Sequence, residues 1–312
     1  MHAHSAEEEA LLKSAIWIAG PTASGKSALA LELAKAIHGE IISVDSMQVY
    51  RGMDIGTAKP TREEQQQIRH HMIDLVEVNE AFDVAMFRRE ALLAASEIVN
   101  RQHRIIFCGG TGFYIKNLIQ GIGHAPPSDA SLRAELDEQP LEFLLEELAG
   151  SDPASYEHID RHNKRKVVRA LEVVRLTGKS FTTFKSDWTT DQWIDPSRFW
   201  ILEQESDTLR ERINDRVDIM MQAGWLEETE RLLEAGLRKN TTACQAIGYK
   251  QIMDHLDDQL SLEETITLIK TKTWQFAKRQ RTWFRHQARG TQIQMTAENC
   301  PETLNSLLRS IA

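Results

Sequence analysis

Gly20-Pro21-Thr22-Ala23-Ser24-Gly25-Lys26-Ser27 is the stretch that decides the fold. It follows a short apolar run, Ala15 to Ala19, and opens a helical pattern from Ser27 to Ala36. A G-x-x-x-x-G-K-[ST] loop between a buried strand and a helix is a phosphate cradle. Glycines at both ends let successive backbone N–H groups curl toward one anion at the positive end of a helix. Lys26 adds a mobile positive charge, and Ser27 offers a hydroxyl to a phosphate-bound Mg²⁺, so magnesium is the expected cofactor. All eight residues are expected to hold a di- or triphosphate. The loop does not say whose.

Working outward, Glu40–Val44 and Arg104–Cys108 read as further buried strands, with helical patterns at Lys26–Ile37, Val84–Arg101 and Phe113–Ile119. Short apolar strands alternating with helices predict an α/β fold, a P-loop NTPase-like doubly wound parallel sheet. Ligands in such sheets sit at the carboxyl ends of the strands. Three polar clusters fall there: the phosphate loop, Asp45-Ser46-Met47-Gln48 and Gly109-Gly110-Thr111-Gly112. They are expected to converge.

Gly121 to Pro127 breaks the pattern, Ser128 to about Ile194 reads as wholly helical, and Arg198–Leu202 resumes a strand. The predicted organisation is a catalytic core, 14–121 with 197–312, carrying a helical insertion domain over 122–196. Downstream, Ser206 is expected to cap a helix that places Arg212 and Arg216 on one face. Ala243–Leu256 and Leu262–Arg289 read as helices, the second started by a capping box of Ser261 and Glu264. A short strand near Ile293–Thr296 and a terminal helix close the chain.

With 312 residues, 41% hydrophobic and 27% charged, the composition is that of a soluble globular protein. No apolar run approaches the roughly 20 residues that span a bilayer. The segment from Met1 to Lys13 lacks the basic start and apolar core of a secretory signal, so a cytoplasmic location is expected. Cys108, Cys244 and Cys300 lie far apart, and neither a disulfide framework nor a structural metal is expected. His70-His71 reads as a surface or capping pair. A net charge of −9 argues against a general nucleic-acid binder. Yet Arg161–Arg169 and Lys270–Arg289 are rich in cations and hold no acid, which marks either a local polyanion site or two solvated helix faces. For Trp274, Phe276, Trp283 and Phe284, interleaved with the second set, core packing is expected over base stacking.

Asp45, at a strand end beside the phosphate loop, suits either a Mg²⁺ contact or a general base. Thr111 offers a hydroxyl where helix N–H groups are unpaired, and an ordinary N-cap would call for the same residue type. Arg216 and Arg212 could neutralise a leaving pyrophosphate or form surface ion pairs. The glycine-bearing loop from Tyr50 to Pro60 over a strand end reads as functional.

The strings Gly20–Ser27, Asp45-Ser-Met-Gln-Val-Tyr-Arg-Gly-Met-Asp-Ile-Gly-Thr-Ala-Lys-Pro60 and Gly109-Gly-Thr-Gly-Phe-Tyr114 resemble the tRNA dimethylallyltransferase (tRNA isopentenyltransferase) family. Arg169-Ala-Leu-Glu-Val173 with Thr177-Gly178, Ala246-Ile-Gly-Tyr-Lys-Gln251 and Ala277-Lys-Arg-Gln-Arg-Thr-Trp-Phe-Arg285 continue the likeness, which covers about Ile16 to Arg285. The resemblance implies transfer of a dimethylallyl group from dimethylallyl diphosphate to the exocyclic amine of an adenosine. That adenosine lies immediately 3′ of the anticodon in tRNAs reading codons that begin with U. It further implies Asp45 as the base, with Thr111 and Arg216 on the pyrophosphate. Asp45, Ser46, Met47 and Gln48 would hold the target adenosine. Arg133, Arg165, Lys166, Val167, Val168 and Arg169, with Ala246, Ile247, Gly248, Tyr249, Lys250 and Gln251, would contact the tRNA anticodon arm. A monomer is expected. Before Arg169 the family usually carries Pro and Asp where this chain has Arg161-His162-Asn163, which puts contacts there in doubt. Larger eukaryotic relatives append a zinc finger that this sequence lacks, as expected of a bacterial-type enzyme.

Three other readings fit parts of the chain: a P-loop small-molecule kinase, a nucleotide-dependent RNA-binding switch, and isopentenyl transfer to a free adenine nucleotide. The kinase explains Gly20–Ser27 but not Asp45–Pro60, and the free-nucleotide enzyme has no need of the insertion or the basic helix.

Overall fold

A computed structural model describes residues 5–121, 125–184, 194–296 and 300–311. In chain order the first part holds α1 (Ala6–Ser14), β1 (Ile16–Ala19), α2 (Lys26–Ile37), β2 (Gly39–Val44), α3 (Arg62–Gln67), β3 (His70–His71), α4 (Val84–Asn100), β4 (Arg104–Gly109) and α5 (Gly112–Gln120). Next come α6 (Ala130–Glu138), α7 (Leu141–Ser151), α8 (Pro153–His158) and α9 (Lys164–Thr177). The last part holds β5 (Phe199–Glu203), α10 (Ser206–Gln222), α11 (Trp225–Glu234), α12 (Tyr249–Leu256), α13 (Leu262–Gln287), β6 (Thr291–Gln294) and α14 (Cys300–Ile311). The chain divides into two compact units, Gln120–Gln192 and Ser5–Ile119 together with Trp193–Ala312.

The larger unit is built on a six-stranded sheet, wholly parallel, in the order β3-β2-β4-β1-β5-β6. Alternation along the central strand β1 feeds two cores. Ile16 and Ile18 pack with Leu29 and Leu33 of α2 on one face. Trp17 and Ala19 pack with Phe87 of α4, Phe107 and Phe199 on the other. The Trp17 ring stacks on Phe107 with centroids 4.1 Å apart. This is the doubly wound α/β arrangement that the strand and helix pattern predicts. Among the described residues, no helix is long and apolar enough to cross a membrane.

Some local expectations give way. α1 is a helix that the polar N-terminus does not announce; a capping box of Ser5 and Glu8 starts it, and the Trp17 indole N–H donates to the Leu12 carbonyl at 3.2 Å. His70-His71 is an edge strand and not a surface cap: His71 Nε2 lies 2.6 Å from the buried carboxylate of Glu40, which Arg101 and His103 also meet. Ser206 does not cap α10; it is the first helical residue, and its hydroxyl accepts from Arg281 at 2.7 Å. The helix expected over Ala243–Leu256 is a 3₁₀ turn, Ala243–Gln245, followed by α12.

In the smaller unit, the apolar faces of α6, α7 and α9 bury Leu136, Leu144, Leu148, Val167, Val168 and Leu171 against one another. The described part of the segment over 122–196 contains no β-strand. Residues 122–124 and 185–193 of that segment lie outside the described residues.

Candidate active site

All three strand-end clusters open onto two adjoining cavities in the larger unit. The smaller, 110 Å³, is lined by Thr22, Lys26, Ser27, Asp45 and Gly109-Gly110. The larger, 340 Å³, takes in Thr22, Asp45, Ser46, Met47 and Thr111. Asp45 and Arg216 border both. The end of β2 is tied to the end of β4 by Thr111 N–H, which donates to the Val44 carbonyl at 3.3 Å.

Within the phosphate loop, Gly20, Pro21, Ala23 and Ser24 are buried and shape the turn, Thr22, Gly25 and Lys26 are half-buried, and Ser27 is exposed. Gly25 takes φ 94° as the N-cap of α2 and offers no side-chain hydrogen bond. The first N–H groups of α2 therefore stay available to an anion at the positive end of the helix dipole. Lys26 Nζ donates to the Pro21 carbonyl at 2.6 Å. Burial, reinforced by Arg216, lowers its pKa to about 8 against the opposing pull of Cys108 and Asp45.

Asp45 Oδ1 accepts from Met47 N–H at 2.8 Å. Burial raises its pKa; the N–H groups of Met47 and Gln48 and the charges of Lys26 and Arg216 oppose that rise. Arg216 is pulled down by burial and by Arg212, and held up by Asp45. A carboxylate of raised basicity thus faces two cations at the point where the cavities join. Arg212 is exposed and lines an outer groove beside the loop.

The Tyr50–Pro60 loop is held both by residues distant in the chain and by its own buried lysine. Glu228 of α11 is buried, accepts from Ile55 N–H at 2.8 Å and takes the Tyr249 hydroxyl at 2.6 Å. Lys59 Nζ, also buried, reaches Asp54 and Asp74, each at 2.6 Å. Trp225, a wall of the larger cavity, lies against both Gly56 and Gly248. A Cβ on Gly56 would stand 2.1 Å from the indole Nε1, and one on Gly248 would stand 1.9 Å from its ring. Glycine in both strings is thus a demand of one tryptophan. Phe276 lines both cavities, so this aromatic is not core filler, while Phe284 is fully buried as expected.

The IPP transferase family model matches residues 48–287, which take in Thr111, Arg216, Trp225 and Phe276 and begin just after the phosphate loop and Asp45. The tRNA dimethylallyltransferase 1 of Trichlorobacter lovleyi is 45% identical over 273 residues, 86% of this chain and 89% of that protein. This chain belongs to the IPP transferase family. A second family member, the tRNA dimethylallyltransferase of Shouchella clausii, is 44% identical over 88% of each chain. Among solved structures, the tRNA isopentenylpyrophosphate transferase of Bacillus halodurans matches with TM-score 0.68 and 36% identity over 96% of this chain and 97% of the other. A eukaryotic dimethylallyltransferase acting on tRNA matches with TM-score 0.76 and 29% identity over 96% and 78%.

The residues that the family resemblance assigns to tRNA divide sharply by burial. Val167 and Val168 sit in the core of the smaller unit, so their side chains do not reach a ligand. Arg133 and Arg169 are turned to the buried carboxylate of Glu172, at 3.3 and 2.5 Å. Arg165 and Lys166 are exposed. In the other string Ala246, Gly248, Tyr249 and Gln251 are buried, Ala246 and Tyr249 also lining the larger cavity, while Ile247 and Lys250 are partly open. Gln48 lines the smaller cavity and directs its amide to the Ser43 hydroxyl, at 2.7 Å, and to the carbonyls of Thr57 and Ala58, which makes it a brace for the loop. On α13, Lys270 pairs with Asp218 and Arg281 with Glu203, whereas Lys272, Lys278, Arg279 and Arg285 are exposed without a carboxylate partner among the described residues.

Proposed function

We propose that this chain transfers the dimethylallyl group of dimethylallyl diphosphate to the exocyclic amine of the adenosine 3′ of the anticodon, in tRNAs reading codons that begin with U. The observation that carries the reading is the junction of the two cavities. A phosphate cradle lies on one side and an apolar wall of Ile213, Val217, Met220 and Trp225 on the other, with Asp45 and Arg216 between.

The smaller cavity takes the diphosphate on the N–H groups that open α2, with Lys26 and Arg216 as counter-charges. The larger takes the hydrocarbon chain and the base. The allylic C1–O bond breaks and its electron pair leaves with the diphosphate. The amine nitrogen bonds to C1 and its proton passes to the carboxylate of Asp45. Breaking the allylic bond builds positive charge on carbon, so holding the departing negative charge lowers the barrier. Burial raises the basicity of Asp45, and the charges of Lys26 and Arg216 oppose that rise. Thr111, beside the junction, would give its hydroxyl to the diphosphate.

Mg²⁺ fits the donor chemistry here, since Ser27 brings a hard oxygen donor to the cavity beside Asp45 and the phosphate oxygens of the substrate would complete the shell. When bound, it would neutralise part of the diphosphate charge. The base must leave its stack to reach so enclosed a site. The exposed cations of α13 and Arg165 and Lys166 of the smaller unit would meet the phosphates of the anticodon arm.

Incubating the protein and Mg²⁺ with labelled dimethylallyl diphosphate and a tRNA bearing the target adenosine, with labelled ATP as the control donor, tests this. Prenyl label in tRNA, absent with Asp45→Ala, is expected. Phosphate transfer from ATP without prenylation would overturn it.

A further inference from the structure

Gln280 lies on α13, one face of which reaches into the site. It is 8% exposed and borders the smaller cavity. Its amide oxygen accepts the N–H of Thr22 in the phosphate loop at 2.8 Å. Its amide nitrogen donates to the carbonyl of Gly110, in the turn after β4, at 2.9 Å. A donor at one end and an acceptor at the other allow the amide a single orientation. The contact is close: a Cβ on Gly110 would stand 2.4 Å from Gln280 Nε2. One side chain therefore joins three segments remote in sequence, namely the phosphate loop, the turn that leads into Thr111, and α13.

We propose that Gln280 is a positioning residue for the diphosphate. By taking the Thr22 N–H it sets the plane of the peptide that opens the cradle. By holding the Gly110 carbonyl it fixes where Thr111 begins, and so fixes the distance between the two banks of the phosphate cavity. It acts through the loop and the turn and adds no charge of its own. A neutral amide carries a donor and an acceptor side by side and so meets both partners at once. Glutamate would meet only the Thr22 N–H and would set a negative charge beside the diphosphate, and lysine would meet only the Gly110 carbonyl. The assignment to the prenyl donor rests on the function proposed above; the hold on a diphosphate does not.

The test uses Gln280→Met, which keeps the volume and removes both hydrogen bonds, and Gly110→Ala, which keeps the glutamine and crowds its amide. Binding of inorganic pyrophosphate with Mg²⁺ is read by calorimetry and binding of tRNA by filter retention. KM for the prenyl donor and KM for tRNA are read in the transfer assay. Both variants are expected to weaken pyrophosphate binding and raise the donor KM by about tenfold, the effect of leaving one or two buried groups unpaired. Affinity and KM for tRNA are expected to stay within about twofold of wild type, because the exposed cations of α13 are untouched. A purely structural role would instead lower the melting temperature and both substrate affinities together, and that result overturns the proposal. Wild-type pyrophosphate affinity in a folded Gln280→Met also overturns it. If the wild type transfers no prenyl group, the pyrophosphate measurement still decides the role of Gln280 while the functional reading fails separately.

Discussion

The buried carboxylate of Glu172 holds the guanidinium of Arg169 at 2.5 Å. Burial pushes the Glu172 pKa up, but Arg169, the Ser128 hydroxyl, the Asp129 N–H and Arg133 outweigh it and hold the group low. Arg169 is thus bound to its own unit before any ligand arrives. Arg169→Ala is expected to cost about 3 kcal/mol of stability by leaving a buried charge short of a partner. Urea unfolding followed by circular dichroism measures it. Arg165→Ala with Lys166→Ala should leave the unfolding midpoint in place and lower tRNA affinity, with a shallower dependence of log K on log salt. Equal tRNA-binding losses at all three positions, without loss of stability, would show that Arg169 is a ligand contact after all.

Asp45 and Lys26 together predict a bell-shaped pH profile for kcat/KM. In its proposed role as the base Asp45 would work unprotonated, and its pKa is raised, so transfer should fall as the pH drops through that raised value. In its proposed role Lys26 would hold the diphosphate only while charged, so transfer should fall again as the pH climbs past about 8. Arg216→Gln removes a charge that holds the Asp45 pKa down, and the acid limb should move to higher pH. Asp45→Asn should reduce kcat by about 10²- to 10⁴-fold with pyrophosphate binding retained. An unshifted acid limb in Arg216→Gln would break the link between the two residues.

Gly56→Ala should destabilise the larger unit by about 2 kcal/mol, because the new methyl meets the Trp225 indole and the wall must shift. Trp225→Phe in the same chain should recover part of that loss, and a double-mutant cycle by thermal unfolding measures the coupling. Gly150 on α7 has nothing near its missing Cβ. Gly150→Ala should therefore leave the fold intact and add up to about 1 kcal/mol of helix stability.

Glu40 predicts the acid limb of stability. Burial works against its charged form, but hydrogen bonds from Arg101, His71 and His103 prevail and lower the pKa to about 2. Its contribution is complete above the unfolded value, roughly 4.3, and is lost as the pH falls from there through about 2. Glu40→Gln should cost about 3 kcal/mol at neutral pH and flatten that limb, as read by unfolding at stepped pH.

Much of the fold is legible in the chain because its signals are local. The phosphate loop needs only neighbours, and the apolar runs of β1, β2 and β4 report their own burial. Asp45 and Thr111 could be named because polar residues at the ends of such strands have one place to face. The split of the helix at Ala243–Leu256 was not legible, since a glycine there reads as tolerated until Trp225 is found against it. Nor was the fate of Val167 and Val168, which the family resemblance assigns to tRNA together with the cations beside them and which the apolar face of α9 sends into the core.

Sequence by itself determined the parallel sheet, the cradle and the residues at the strand ends, because each depends on spacing along a few adjacent residues. Tertiary structure alone decided which of those groups are free to act. Gln280 meets Thr22 across 258 positions, and Glu228 meets Ile55 across 173. Nothing in the sequence around either partner encodes such a pairing. A side chain becomes a brace, a wall or an open ligand group only when packing brings its partner within hydrogen-bond distance and shuts out the water that would otherwise compete.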